Sequence, residues 1–242
     1  MEIEAFIKEM KNIYSHLIDF IDATDSSDVE FMSLIEIFDG QAILENKEEI
    51  RLLFQLISKI ADNHHRTSDI FDKLEKIFQY LIKDTPSPIS YYIPDYTNYN
   101  KLILFFLLEK GFIKPDKSFL DKYFPNKTIK PNESYYLYPS MKQYLEKELQ
   151  NQIEKEILEK FGEKISIFTK KCQIGENDSY ICSLIRSDSV EEFVAYVNRT
   201  NLSLLSTIKK SIYETNSFLI DKEPTLIEYA SFFGSIQIIQ YL

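Results

Sequence analysis

Apolar residues step along nearly the whole chain by three and four, and this rhythm limits the fold more than any other feature. Ile3, Phe6, Ile7, Met10, Ile13, Tyr14, Leu17, Ile18 and Ile21 draw one stripe. A helical turn brings such positions onto one side, where they can be buried together. Thr24 to Asp28 interrupts the stripe, and Ser27 followed by Glu30 has the form of a capping box. That pattern predicts a second helix, ending near Gly40. Ile50, Leu53, Phe54, Ile57 and Ile60 predict a third. After a polar turn from Asp62 to Ser68, Ile70, Phe71, Leu74, Ile77, Phe78 and Leu81 predict a fourth. Period-two alternation is nowhere sustained, so the expected fold class is all-α.

Prolines punctuate the middle of the chain, because each removes a backbone donor and pushes its predecessor out of helix. Pro86, Pro88 and Pro94 predict a loop from about Asp84 to Tyr96, a possible sub-boundary near 84–97. Helix resumes from Leu102 to Lys110, with Gly111 placed as a left-handed stop. A short helix from Lys117 to Tyr123 precedes a second loop holding Pro125, Pro131 and Pro139, which gives another possible sub-boundary near 124–139. Ser140 with Gln143 then reads as a capping box that opens the longest helix, reaching about Phe161. Its expected apolar stripe is Met141, Tyr144, Leu145, Leu149, Ile153, Ile157 and Phe161, and Glu156 with Lys160 makes a favourable i,i+4 pair.

Charge and cysteine usage remove several function classes. Lys and Arg number 28 against 38 Asp and Glu, a net charge of −10, and phosphate contacts need clustered cations. Nucleic acid and anionic membrane surfaces are therefore not the expected partners. The longest apolar run, Leu102 to Leu108, is seven residues, far below the roughly 20 that a membrane-spanning helix needs. The start, Met1-Glu2-Ile3-Glu4, is acidic where a secretory signal would be basic. Cys172 and Cys182 are too few for a disulfide framework and lack metal-type spacing. Together these features lead us to expect a cytoplasmic protein.

Motifs for chemistry are missing as well. The glycines Gly40, Gly111, Gly162, Gly175 and Gly234 are too far apart for a phosphate-binding loop or a dinucleotide fingerprint. His64 and His65 sit in a polar turn with no cysteine nearby in sequence, so a solvated turn is the better reading than zinc. No Ser or Cys lies in a nucleophile-elbow pattern, and the pairs Glu48-Glu49 and Glu191-Glu192 read as solvated helix surface. Catalytic, cofactor-binding and metal residues are each expected to be none.

The last stretch carries the most specific pattern. Thr225 can cap a helix, with Glu228 completing a capping box. Ala230 and Ser231 are small, Gly234 allows the positive φ of a tight turn, and Ile236, Ile239 and Leu242 follow on a second helix. This unit resembles the helix–turn–helix of an ankyrin repeat, although Leu226, Glu228 and Ser235 replace the proline and the two histidines of the consensus. An offset of 46 residues sets Ser179 under Thr225, Ile181 under Ile227, Leu184 under Ala230 and Asp188 under Gly234. It also sets Val190 under Ile236, Phe193 under Ile239 and Tyr196 under Leu242, and Ser189 with Glu192 again has the capping-box form. Ankyrin spacing is about 33, so the Asn198–Glu223 connection is expected to hold an insertion and is the candidate contact surface. Leu242 falls before the second helix would finish, and we expect the array to continue.

From Tyr180 to Leu242 the chain resembles the expanded ankyrin proteins of parasitic protists. The resemblance implies an all-helical N-terminal domain, residues 1–175, followed by residues 176–242 as the start of a repeat array. It implies a non-enzymatic protein–protein interaction scaffold whose helical domain caps the array, with another protein as partner. The alternative is an enzyme whose active site is assembled from scattered residues of the N-terminal helices.

Overall fold

The computed structural model describes residues 2–23, 28–40, 47–63, 69–83, 100–125, 133–220 and 222–242. Among these residues the chain is all-α: fourteen α-helices, one short 3-10 turn and no strand beyond a single antiparallel bridge between Thr207 and Thr225. None of the described helices is long and apolar enough to cross a membrane. The chain divides into two compact units, Met1–Tyr99 and Asn100–Leu242.

Among its described residues the first unit has four helices, α1 (Glu2–Asp22), α2 (Asp28–Gly40), α3 (Lys47–Asn63) and α4 (Ile70–Lys83). The later part of the first expected stripe and most of the third and fourth are buried, while Ile7 and Tyr14 of the first are exposed. Ile13, Leu17, Phe20 and Ile21 of α1 lie in a core with Leu53, Phe54 and Ile57 of α3 and Leu74, Ile77 and Phe78 of α4. α1 packs against each of the other three helices. Phe54 stacks on Phe78 with ring centroids 5.5 Å apart, and Phe20 meets Phe31 of α2 at 5.2 Å. One cation lies inside this core. Lys73 is 3% exposed, and its Nζ donates to Ile21 O at 2.8 Å and to Ala23 O at 2.7 Å, with Asp69 Oδ2 2.9 Å away. It thus donates to two carbonyls at the C-terminal end of α1, where helical carbonyls run out of intrahelical partners. Ser27 of the expected capping box, the Asp84–Tyr96 loop and the His64-His65 pair lie outside the described residues, while Asp62 and Asn63 belong to the end of α3.

The second unit is built around two helices that are apolar on every side. Residues 102–108 of α5 (Lys101–Glu109) are all buried, as are residues 134–138 of α7 (Glu133–Met141). A helix apolar all round has to be enclosed by neighbours. α5 packs on α7, and α9 (Ile165–Ile174) packs on both, with α8 (Lys147–Phe161) behind it. α6 spans Lys117–Tyr123, the predicted bounds, and Gly111 has the left-handed φ of 74° expected for the stop.

Two expectations fail between α6 and α8. Pro139 lies inside α7 and not in a loop. The ring removes one backbone donor near the end of that helix, but burial of Tyr136, Leu137, Tyr138 and Met141 holds the turn together. No continuous helix runs from Ser140 to Phe161 either. Ser140 Oγ turns back to Leu137 O at 2.8 Å, so it caps nothing. The chain leaves α7 through the 3-10 turn Lys142–Tyr144 and an extended Leu145, and α8 begins at Lys147. Gln150 pins this break, donating from Nε2 to Lys142 O at 3.0 Å and Leu145 O at 2.8 Å. Leu149, Ile153 and Ile157 keep the buried stripe of α8, and Lys160 stands 3.6 Å from Glu156.

Candidate interaction surface

The C-terminal part of the second unit consists of two helix pairs, α10 (Tyr180–Arg186) with α11 (Val190–Thr200), and α13 (Leu226–Phe233) with α14 (Ile236–Tyr241). Their turns have one geometry, bond for bond, at the offset of 46 residues. In the first turn Ser189 N donates to Leu184 O at 3.1 Å and Asp188 N to Ile185 O at 2.9 Å. In the second, Ser235 N donates to Ala230 O at 3.0 Å and Gly234 N to Ser231 O at 3.3 Å. Both sets are the paired bonds of a Schellman stop, which requires a left-handed residue just past the helix. Asp188 supplies it at φ 48° and Gly234 at φ 68°. The residues that open the second helices also agree, Ser189 at φ −82°, ψ 75° and Ser235 at φ −77°, ψ 75°.

The pairs stack like on like, α10 against α13 and α11 against α14. They share one core that includes Cys182, Ile185, Phe193, Tyr229 and Ile238. Polar groups stitch the joint where the turns meet. The Asp188 carboxylate accepts from Gln237 N at 3.1 Å and Ile238 N at 3.0 Å, capping the start of α14 from the neighbouring pair. Ser235 would be the local cap, but its Oγ donates instead to Ile185 O at 2.5 Å. Arg186 crosses the same joint. It meets Glu176 at 2.8 Å, donates to Asn177 O at 2.8 Å and to the Tyr229 hydroxyl at 2.9 Å, and its guanidinium lies over Phe233. Burial holds the Tyr229 phenol well above its usual range, so it stays protonated.

The expected Thr225–Glu228 capping box is present in both directions. The expected Ser189–Glu192 box is not. Ser189 takes the N-cap position without a side-chain cap, and its hydroxyl pairs with Ser187 Oγ at 2.8 Å. Neighbouring small hydroxyls compete for the same groups, and here the competing bond forms. If Asp188 fixes the joint, Asp188→Ala should lower the unfolding free energy by about 1 kcal/mol, the usual value of a lost helix cap. Ser189→Ala should change it by less than half of that, and urea denaturation of both variants compares the two.

The connection from 201 to 224 is anchored along much of its length. The Thr207–Thr225 bridge closes it, with Ile208 N donating to Pro224 O at 2.7 Å. Inside, the Glu214 carboxylate is 4% exposed and accepts from the backbone N–H groups of Asn177, Thr215 and Asn216 at 3.2, 3.0 and 2.9 Å. Thr215 bonds Gly175 O through both its N and its Oγ1, and its own carbonyl accepts from Asn100. Lys101 Nζ reaches Ile212 O at 2.7 Å. Lys171 ties Glu163 at 2.5 Å to Asp178 at 2.7 Å, while the Tyr213 hydroxyl donates to Glu163 at 2.8 Å. The connecting segment is therefore structured and lies beside the two helix pairs. What it leaves open is a short apolar rim: Leu205 is 88% exposed and Phe218 44%. Phe218 stacks on Phe232 and carries Lys222 Nζ 4.5 Å above its ring.

No group of three or more His, Cys, Asp or Glu residues with metal-binding geometry occurs among the described residues. Burial pushes the Cys172 thiol far above its ordinary range, so it is held as an unreactive thiol. Two tyrosines of α7 join carboxylates of α8, Tyr138 to Glu154 at 2.8 Å and Tyr135 to Glu156. In each pair the phenol is pushed up, chiefly by burial, and the carboxyl is held down, Glu154 chiefly by its hydrogen bond from Lys142 and Glu156 by that from Tyr135. These shifts fix protons in place, donor to acceptor, as in a structural clasp. A cavity of about 20 Å³ inside the connection, lined in part by Asn177, Glu214 and Tyr229, has room for a single water. An open groove of about 540 Å³ between α1 and α3 is mostly apolar, lined by Phe6, Met10, Leu52 and Leu56 with Gln55 and Lys59.

Sequence reasoning placed Asp188 in the repeat but gave it no task. The one signal was an Asp where the other copy has Gly, since Asp is among the few side chains that enter the left-handed region. Glu214 and Arg186 gave no signal, because the partners that tie each to another element, Asn177 for Glu214 and Tyr229 for Arg186, lie 37 and 43 residues away. No family model, no curated protein and no solved structure matches the chain.

Proposed function

We propose that the chain is a non-enzymatic protein–protein interaction scaffold, in which an N-terminal helical domain precedes the first, degenerate helix pairs of an ankyrin-type array. The observation that carries this reading is the recurrence of one turn geometry at an offset of 46 residues, with each helix laid on its counterpart. A helix pair of this size cannot enclose its own apolar side, and stacking is how such units become stable. The resulting surface is rigid and offers side chains along its edge, which suits it to binding other proteins.

The rim of the connection is the proposed contact, with Leu205 at its tip. A bare leucine at 88% exposure contributes little to folding and stands where a partner could cover it. Leu205→Asp should leave the melting temperature unchanged within error, because nothing buried depends on that side chain. The same variant should lose the protein partners that the parent chain retains in affinity capture. Retention of every partner by the variant would remove the connection from the interface. Turnover of a small-molecule substrate by the purified chain would overturn the scaffold reading.

A further inference from the structure

Acidic residues stop along one stretch of this acidic chain, and the candidate contact lies inside it. Between Glu192 and Glu214 no Asp or Glu occurs over 21 residues (214 − 192 − 1), the longest acid-free run in a sequence with 38 acids. Arg199, Lys209 and Lys210 are its charged residues. Glu214, which ends the run, is buried on the N–H groups of Asn177, Thr215 and Asn216 and adds no carboxylate to the surface. The run carries the exposed Leu204 and Leu205, and Phe218 is exposed just after it. Lys209, Lys210 and Lys222 all line the small cavity of the connection and all are exposed, so three cations gather at one place. Among the described residues none of the three forms a salt bridge. Asp221 and Glu223 flank Lys222 in sequence, but no such neighbour offsets Lys209 and Lys210. Lys222 Nζ over the Phe218 ring joins these cations to the apolar rim. The exposed Val29 and Met32 of α2 make the contrast, since they share their helix with Asp28, Glu30, Glu36 and Asp39 and with no base.

We propose that the rim takes an acidic segment of its protein partner, with an apolar side chain laid on Leu205 and Phe218 and carboxylates set against Lys209, Lys210 and Lys222. The inference rests on reading the connection as the contact, and it names the chemistry of what binds there. Apolar cover supplies the affinity, because Leu205 and Phe218 leave water when the segment lands. The lysines supply the choice of partner. Exposed ion pairs each add little affinity, but they speed encounter and reject a segment of the wrong sign. A nucleic acid fits this surface less well. A polyanion needs cations along its whole path, and outside residues 193–213 carboxylates recur throughout the chain and repel it. It also gains nothing from a bare leucine. A short acidic peptide meets both halves of the surface and stays within the acid-free run.

Selection of random phage-displayed peptides on the whole immobilised chain, followed by fluorescence anisotropy of the enriched sequences, tests the proposal. Enriched peptides should place Asp or Glu around a Leu or an aromatic residue. Their affinity should fall at least tenfold in a chain carrying Lys209→Glu with Lys210→Glu. It should also fall severalfold as salt rises from about 0.05 to about 0.5 M, because screening weakens exposed pairs. Lys114→Glu with Lys117→Glu makes the same change of charge at two exposed lysines outside the connection and should leave the affinity unchanged. Circular dichroism should show parental helicity for both double variants, because all four side chains are exposed. Enrichment of basic or uncharged peptides, no enrichment at all, or an affinity indifferent to the Lys209–Lys210 pair overturns the proposal. So does tighter binding of a labelled single-stranded oligonucleotide than of the peptides, which would give the lysines to phosphate. None of these results removes the connection from the interface; that reading fails separately, if Leu205→Asp keeps every captured partner.

Discussion

Gly175→Ala should lower the unfolding free energy by about 2–4 kcal/mol, one of the two strongest effects expected from this structure. Gly175 ends α9 at φ 68°, a left-handed conformation that costs an L-residue about 1–2 kcal/mol. Crowding adds to that cost. A methyl group there would lie 2.8 Å from both terminal carbons of Leu102 and 3.1 Å from Thr215 Oγ1. Leu102 is 2% exposed, so it can move only by repacking α5, and overpacking of this kind costs about 1–3 kcal/mol. The same shift would pull at the bonds from Thr215 N and Oγ1 to Gly175 O, 3.2 and 2.6 Å long, which hold the connection down. Gly162 provides the control. It ends α8 at the same φ of 68°, and a methyl group added there would meet nothing within 4 Å. Gly162→Ala should therefore show the backbone cost alone, about 1–2 kcal/mol. Equal urea midpoints for the two variants would mean that the approach of Gly175 to Leu102 has no energetic weight.

Lys73→Met should cost about 2–4 kcal/mol in the first unit. Methionine keeps the apolar stem of the side chain and deletes the ammonium, so packing is nearly preserved and the loss is electrostatic. Three acceptors lose their donor: Ile21 O, Ala23 O and the Asp69 carboxylate. A buried carbonyl left without a partner costs about 1–3 kcal/mol, and the two here terminate one helix. Asp69, at 36% side-chain exposure, can turn to water and adds less. Amide hydrogen exchange should show the loss first as faster exchange in the last turn of α1. If α1 kept its protection and the urea midpoint did not move, Lys73 would be a tolerated guest in the core and not its tie.

Three helices of the first unit, α1, α3 and α4, could be read directly from the sequence, because each one is a half-buried amphipathic element, whereas α2 was expected from a capping pattern and Gly40. The period of such an element is written out in residues such as Leu74, Ile77, Phe78 and Leu81. α5 was legible for another reason, as an unbroken apolar run that Gly111 stops, and α6 as a short segment between that stop and the next proline. Legibility ended where tertiary burial outweighed local signals. Pro139 announces a loop by its own chemistry, yet the tyrosines and leucine around it are buried deeply enough to keep the turn helical. Ser140 and Gln143 carry a capping pattern, but Gln150, seven residues further on, holds the real break from a distance. In the candidate surface the two turns were legible through Gly234 and its counterpart Asp188. The capping of α14 by Asp188 was not, since it joins groups some 50 residues apart. The carboxylate of Glu214 was hidden for a different reason: an isolated acid in a polar stretch looks solvated until the chain turns the N–H groups of Thr215 and Asn216 back onto it and brings up that of Asn177.

The complete enclosure of α5 matters while the polypeptide is being made. Seven consecutive apolar residues leave the ribosome well before α7, and α9 follows more than fifty residues after α5 begins. Until both arrive, the run from Leu102 to Leu108 has nothing to cover it, and at physiological temperature such stretches adhere to one another. Synthesis rate and chaperone supply, more than the stability of the finished molecule, should then decide how much usable protein a cell obtains.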